Sequence, residues 1–238
     1  MLALSAALKM GEQGATCLYI SADSDEDTMA ARAAACITGH PTSEVMRTIE
    51  YGLFKEEYGP VLAKYPIRFE YDPTDPSVQD IAHALTAWVE VWGEPPKLLV
   101  VDNLMNMSGT DSNEWQSMRQ HVKDLHSLAR KSRMCVLVLH HTSEQDNQFI
   151  ESAPPRSAIQ GKVSQLPALI LTAANNAGQM FVGVVKQRHG QADPMARDPV
   201  RMICDFSTCQ IHDKTLAQEL ALKGVATTGE WIVNGRYA

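Results

Sequence analysis

PKLLVVDNL, residues 96–104, contains a short and fully apolar run, Leu98–Val101, that ends on Asp102. A run of this length, bounded by polar residues and rich in aliphatic side chains, is typical of a strand buried on both faces. A second such run, Cys17–Ser21 (CLYIS), precedes it, and a third, Cys135–Leu139 (CVLVL), follows it. The three runs are interpreted as buried strands.

Amphipathic segments separate these apolar runs. Apolar residues recur three and four positions apart in them, which is the spacing of one helix face. Helices are predicted at Glu26–Thr38, with breaks across Thr42–Leu62, at Val78–Trp92 and at Trp115–Ala129, and a further strand at Ile67–Tyr71. Strands that alternate with helices predict an α/β fold around a largely parallel sheet.

The organisation changes after Gln165, where strands follow one another without helices between them. The predicted strands are Leu169–Thr172, Phe181–Val185 and a hairpin of Val200–Cys204 with Thr208–Ile211. Strands joined by short turns pair antiparallel, so an antiparallel extension is predicted. A short helix and a loose end are expected from Lys214 onward.

Length and composition favour one cytoplasmic domain. The 238 residues carry a net charge of −7, which gives no support to nucleic-acid binding through bulk charge. No apolar run is long enough to span a membrane. The five cysteines contain no CxxC pair, which predicts a reduced chain without a disulfide framework, and Cys17 and Cys135 are expected to be buried.

Polar residues follow three of the predicted strands directly. They are Ser21-Ala22-Asp23, Asp102-Asn103 and His140-His141. Ligands of open α/β sheets bind at the carboxyl ends of the strands, so these groups are candidates for a site. The acidic residues are equally open to a structural interpretation, since an acidic residue after a strand is often a helix cap or a turn residue. A pair of histidines after a strand is more often structural than catalytic.

Five segments, in order, resemble the RecA-like hexameric helicases, in particular the DnaB-type replicative and plasmid RepA-type helicases. They are LYISADSDEDTMAARAAACITG (Leu18–Gly39), PIRFEYDPTDPSVQDI (Pro66–Ile81), PKLLVVDNL (Pro96–Leu104), SMRQHVKDLHSLARKSRMCVLVLHHTSE (Ser117–Glu144) and VGVVKQRHG (Val182–Gly190). The resemblance implies a RecA-like three-layer core over residues 1–212, with a mostly parallel sheet and an antiparallel C-terminal extension. Residues 213–238 would form a tail.

The resemblance also implies residue roles at the strand ends. Asp102 matches the Walker B acid, which would hold Mg²⁺ through water, and Asn103 lies beside it in the cofactor site. Asp23 falls where the family usually has Glu, the base that orients the attacking water. His141 matches the sensor of the γ-phosphate, with His140 as the alternative.

Two further sets of residues are assigned by the same resemblance. Lys186 and Arg188 match the finger residues that reach into a neighbouring subunit's site; the alternative is that they are solvated charges. DNA contacts would come from Asn106–Glu114 and Glu144–Gln165, through Arg156 and Lys162, although these segments are equally interpreted as surface loops. The implied cofactors and partners are ATP, Mg²⁺, single-stranded DNA, a homo-oligomer (a hexamer), and a primase or loader.

The sequence contains no GxxxxGK[ST] loop, the element that surrounds the phosphates of ATP. Met1–Met10 resembles the helix that follows this loop in RepA-type helicases, so an N-terminally truncated motor that also lacks its first strand is expected. Such a chain is expected to show weak or absent ATP hydrolysis. The alternatives are a natural relative without the loop that fills a ring or binds a partner, a RecA- or RadA-type recombinase, and an unrelated α/β enzyme that uses His140 or His141.

Overall fold

The computed structural model describes residues 1–71, 75–109, 113–142, 152–176 and 178–213. Its helices are α1 (Leu2–Glu12), α2 (Glu26–Thr38), α3 (Thr42–Glu50), α4 (Phe54–Glu57), α5 (Gly59–Leu62), α6 (Val78–Trp92) and α7 (Glu114–Ser132). Its strands are β1 (Cys17–Ser21), β2 (Ile67–Tyr71), β3 (Leu98–Asp102), β4 (Cys135–Val138), β5 (Leu169–Asn176), β6 (Gln179–Gln187), β7 (Val200–Asp205) and β8 (Gln210–Asp213). Short 3-10 turns lie at Leu104–Asn106, Arg156–Ala158 and Gln160–Gln165. The predicted C-terminal tail lies outside the described residues.

The strands form two four-stranded sheets. The first has the order β2-β1-β3-β4 and is parallel throughout, while the second has the order β5-β6-β7-β8 and is antiparallel throughout. This arrangement confirms the predicted fold class. Strands β5 and β6 extend further than the sequence predicted, because the polar residues Asn175 and Asn176 continue the ladder with Met180 and Gln179.

Alternate side chains of β1 and β3 are buried on opposite faces of the parallel sheet. Leu18 and Leu99 pack with residues of α6 and α7 in one apolar cluster, whereas Tyr19 and Val100 pack with residues of α1 and α2 in another. The sheet therefore lies between two layers of helices. Burial on both faces explains why these strands are apolar without alternation.

Local hydrogen bonds begin and end the helices where the sequence predicted. The Asp25 carboxylate accepts a hydrogen bond from the Thr28 backbone N–H at 2.7 Å and caps α2. Gly39 ends α2 in the left-handed conformation, with φ of 76°. Ser77 and Asp80 form a reciprocal capping box at the start of α6.

Strand β4 lies at the edge of the parallel sheet. Among the described strands it pairs with β3 alone, and β5 likewise pairs with β6 alone. The prediction that Cys135 is buried was wrong: its side chain is exposed, at the first position of a strand that lies at the edge of the described sheet. An apolar strand with an unpaired edge offers its backbone N–H and C=O groups to a further strand.

Gly183 lies in β6, three residues before Lys186, at a point of close packing. A Cβ atom at this position would lie 2.8 Å from the Ala196 Cβ and 3.1 Å from the Ala153 Cβ. We expect Gly183→Ala to lower the free energy of unfolding by about 1–3 kcal/mol, because the neighbours must move apart. Urea unfolding followed by circular dichroism measures the change. In the control Gly59→Ala the new Cβ would meet its nearest atom at 3.7 Å, so no loss of stability is expected there.

Candidate functional site

Asp102 ends β3 at the carboxyl edge of the parallel sheet, opposite Ser21 of β1. Its Oδ2 accepts a hydrogen bond of 2.7 Å from the hydroxyl of Tyr19, whose side chain is buried within β1. Burial raises the pKa of Tyr19, and the nearby Asp102 carboxylate raises it further. The phenol therefore keeps its proton at neutral pH and donates a hydrogen bond that orients the half-buried Asp102 side chain.

Asn103 joins the ends of the strands through its amide group. Its buried Oδ1 accepts from the backbone N–H groups of Met105 and Asn106, at 2.9 and 3.3 Å. Its Nδ2 lies 3.4 Å from Nε2 of His141, which follows β4, and the Asn106 Nδ2 donates to the Ala22 carbonyl after β1 at 3.4 Å. The ends of β1, β3 and β4 thus meet in one hydrogen-bonded cluster.

The two adjacent histidines occupy different environments. The Nε2 of His140 lies 3.1 Å from the Gln160 carbonyl, so this nitrogen carries the proton and donates. Burial lowers the pKa of His140, which favours its neutral form. His141 is exposed and contacts Asn103. His140 therefore anchors the Gln160–Gln165 turn, and His141 is the histidine that belongs to the Asp102 cluster.

Asp23 lies in the bend that follows β1, and its side chain is exposed. The bend is held by Ser21, whose hydroxyl donates to the Ser24 carbonyl at 2.7 Å and accepts from the Ser24 N–H at 3.2 Å. Arg32 donates to the Ser24 hydroxyl at 3.0 Å. No group in the described ranges forms a hydrogen bond or an ion pair with the Asp23 carboxylate. The structure brings Asp23 to the same sheet edge as Asp102 but into no direct contact with it.

Lys186 and Arg188 lie away from this cluster, at the end of β6. The Lys186 Nζ donates to the carbonyls of Ser164 and Gln165, at 2.9 and 2.6 Å, and Arg188 donates to the Leu166 carbonyl at 3.2 Å. Burial lowers the pKa of Lys186, and the neighbouring Arg156 and Arg188 lower it further.

Arg156 shares the Ser164 carbonyl with Lys186, since its guanidinium donates to that oxygen at 3.2 Å. Within one chain Lys186 and Arg156 hold the backbone of the Gln160–Gln165 turn, and Arg188 holds the carbonyl of Leu166, the next residue.

The Gly161-Lys162 pair is not a phosphate-binding loop. Both residues have left-handed backbone conformations, with φ of 72° and 54°, inside a turn that packs against α7. No strand leads into the turn, and no long helix begins from it. The two predicted DNA-contacting segments, Asn106–Glu114 and Glu144–Gln165, lie partly outside the described residues, at 110–112 and 144–151.

A magnesium ion fits the Asp102 cluster better than a metal that needs several protein ligands. No group of three or more His, Cys, Asp or Glu side chains in the described parts of the chain is arranged to hold a metal. Magnesium commonly binds through one or two carboxylates and keeps water and phosphate oxygens as its other ligands. Asp102 supplies such a carboxylate, but the sequence contains no GxxxxGK[ST] loop for the phosphates.

Tyr19→Phe removes the group that orients Asp102. We expect a loss of about 1–2 kcal/mol of stability at neutral pH, because a hydrogen bond to a carboxylate is lost. A raised pKa in the folded state means that Tyr19 contributes stability below its ordinary pKa of about 10, and that this contribution is lost as the pH rises. Urea unfolding between neutral and alkaline pH should therefore show a weaker alkaline loss in the variant than in the wild type.

The comparisons with known proteins agree with this architecture. The AAA domain family matches residues 2–147, which is more than half of the chain. The Gene 65 protein of Mycobacterium phage D29 is 30% identical over 204 residues, which cover 82% of this chain and 87% of the relative. The Gene 65 protein of Mycobacterium phage L5 is 31% identical over 205 residues, with 82% and 75% covered.

Two solved structures share the fold at low sequence identity. A DnaB-like replicative helicase, solved in a study of its interactions with primase, superposes with a TM-score of 0.74 at 16% identity. The match covers 89% of this chain, which spans 55% of that helicase chain. A second structure, solved as an isolated ATPase domain, gives a TM-score of 0.73 at 15% identity, with 89% of this chain and 78% of that domain covered.

No helix within the described ranges is both long and apolar enough to cross a bilayer. The parallel sheet with its antiparallel extension is the RecA-like fold of DnaB-like helicase ATPase domains, and the chain belongs to the AAA domain family.

Proposed function

We propose that this chain is the motor domain of a replicative ring helicase, which couples ATP hydrolysis between subunits to movement along single-stranded DNA. The observation that carries the proposal is the cluster of Asp102, Asn103 and His141 at the carboxyl ends of adjacent parallel strands. Parallel α/β sheets bind their ligands at this edge. The fold shared with DnaB-like helicases supports the same assignment.

Each residue of the cluster has a role in the proposed reaction. ATP bound with Mg²⁺ would supply the phosphoryl group that is transferred to water. Asp102 would hold the ion through water, with its carboxylate oriented by Tyr19. Exposed Asp23 would accept a proton from the attacking water, and His141 would transmit the state of the site through Asn103 to the Leu104–Asn106 turn.

Lys186 and Arg188 would act on a neighbouring subunit's site as the finger residues. Their place outside the Asp102 cluster of the same chain supports a role between subunits rather than within one. To reach the phosphate of a neighbour, Lys186 must release the carbonyls of Ser164 and Gln165, and Arg188 must release the carbonyl of Leu166. The proposed assembly is a closed ring, for which we propose a hexamer, with a primase or loader as a further partner.

The phosphate-binding loop is the component that the 238 residues do not supply. We therefore expect this chain alone to show no ATP hydrolysis above the background of a buffer control, because the β- and γ-phosphates have no cradle of backbone N–H groups. A radiometric assay of phosphate release at saturating ATP and Mg²⁺ tests this. Steady turnover by the purified chain, abolished by Asp102→Asn, would show that the cradle is provided by another segment.

The second candidate is a non-catalytic ring or loader protein, which the absence of the loop sequence favours. The third is a recombinase of the same fold. The experiment that separates the three uses the full protein encoded by the source DNA. Turnover stimulated by single-stranded DNA, with rings in negative-stain electron micrographs, supports the helicase; filaments support the recombinase; and assembly without turnover supports the non-catalytic protein.

A further inference from the structure

A cationic cleft lies between α7 and the Gln160–Gln165 turn, and it has a volume of about 130 Å³. Arg119 and Lys123 of α7 and Lys162 of the turn contribute its charged side chains. The rest of the lining is Val122, Val163, Gln165 and Leu166, so no acidic side chain of the described chain faces it. We call this feature the α7 cleft.

An aromatic side chain continues the α7 cleft along the helix. Trp115, Arg119 and Lys123 are spaced four residues apart and therefore lie on one face of α7. Trp115 is 42% exposed although it belongs to the helix face that was predicted to be apolar. Its ring touches the turn that carries Lys162, since a Cβ on Gly161 would lie 3.0 Å from the indole Cε3.

The backbone of the turn holds Lys162 in an unusual conformation. Lys162 has φ of 54° and follows Gly161, which has φ of 72°. The left-handed region disfavours a residue with a side chain, and positions of this kind persist where the surrounding structure holds them, often at ligand sites. The turn is held by the carbonyl contacts of Lys186 and Arg156 described above.

The three cations of the α7 cleft have no acidic partner in the described part of the chain. Arg119 donates through Nε to the Trp115 carbonyl at 3.1 Å, and none of the three forms an ion pair there. Asp124, the nearest acid along α7, accepts from Gln120 instead. In a chain of net charge −7, three cations without an acidic partner among the described residues make a local positive potential that attracts anions.

We propose that the α7 cleft binds the phosphate backbone of single-stranded DNA and that Trp115 stacks on a base beside it. Cations spread along a helix, next to an exposed aromatic ring, suit a strand of several phosphates and bases better than one small anion. The inference rests on the proposed function for the choice of DNA as the polyanion. Arg156 and Lys162 were the residues predicted to contact DNA. The proposal keeps Lys162 and gives it Arg119 and Lys123 as partners instead of Arg156, whose guanidinium donates to the Ser164 carbonyl.

The test is a titration of the full chain with oligothymidylate, followed by tryptophan fluorescence at several salt concentrations. Single-stranded DNA should quench the emission, and Trp115→Leu should remove most of the quenching. The triple variant R119A/K123A/K162A should bind about 100-fold more weakly at about 0.1 M salt, and the slope of log K against log[salt] should fall by about 2. The control, K55A/R130A/K131A, removes the same charge from positions outside the cleft and should bind like the wild type.

The possible results separate the cleft from the wider proposal. If the triple variant binds oligothymidylate as tightly as the wild type, with an unchanged salt slope, the α7 cleft is not the DNA site. The helicase proposal then still stands. An equal loss of oligothymidylate affinity in the control variant also contradicts the α7 cleft proposal, because the loss would then come from the change in net charge. Displacement of oligothymidylate by pyrophosphate at a lower concentration overturns it in favour of a small-anion site. No binding by the wild type overturns both.

Discussion

Arg188→Ala should lower the ATP turnover of the full protein by about 10³-fold or more, with little change in the stability of each subunit. A finger residue neutralises charge that develops on the transferred phosphoryl group, and its loss has effects of this size. Arg188 is exposed, and among the described residues its side chain forms one hydrogen bond, to the Leu166 carbonyl, so its removal should not unfold the domain. Turnover at saturating ATP and urea unfolding measure the two effects.

Mixing subunits shows whether the residue acts on a neighbour. Arg188→Ala and Asp102→Asn proteins, each inactive alone, should regain part of their activity when they assemble together. At some interfaces an intact Asp102 then meets an intact Arg188 from the next subunit. If Arg188 acted within its own chain, every mixed site would remain defective and no activity would return. A sample of Arg188→Ala mixed with Arg188→Lys is the control for subunit exchange alone.

Asp102→Asn should lower the Mg²⁺-dependent turnover of the full protein by at least about 100-fold, because the metal loses its carboxylate while the shape of the residue is kept. The amide can still meet the Tyr19 hydroxyl, so the fold should be retained. The matched control is Asp198→Asn, an exposed acid without a described partner, which should have wild-type turnover. Retained turnover in the Asp102 variant would remove Asp102 from the metal site.

Much of the fold was predictable from the sequence because burial on both faces leaves a visible pattern. The runs at Leu98–Val101 and Cys17–Ser21 are continuous because α1 and α2 cover one face of the sheet and α6 and α7 cover the other. The ends of α2 were also predictable from the sequence, because Asp25 and Gly39 cap the helix through residues that are close to them in the chain. The exposure of Cys135 was missed because a strand's composition reports its faces and not whether its edge has a partner.

The site was predictable only as a set of strand ends. The topology of parallel strands brings three strand ends to one edge of the sheet, and this could be predicted. The contact of Asn103 with His141, and the choice of His141 over His140, depend on side-chain positions. Tyr19 was missed because its hydroxyl reaches Asp102 from inside an apolar strand. Trp115 begins a predicted amphipathic helix, but its helical spacing could not show that the side chain is 42% exposed beside the Gly161 turn. The roles of Asp23, Lys186 and Arg188 stay predictions.

The most direct measurement of the central claim is ATP hydrolysis by the full protein encoded by the source DNA, with and without Mg²⁺, beside its Asp102→Asn variant. We expect turnover that requires Mg²⁺, rises with single-stranded DNA and is lost in the variant. A folded, assembled wild-type protein that binds DNA but releases no phosphate would contradict it, and the non-catalytic ring or loader protein would take its place.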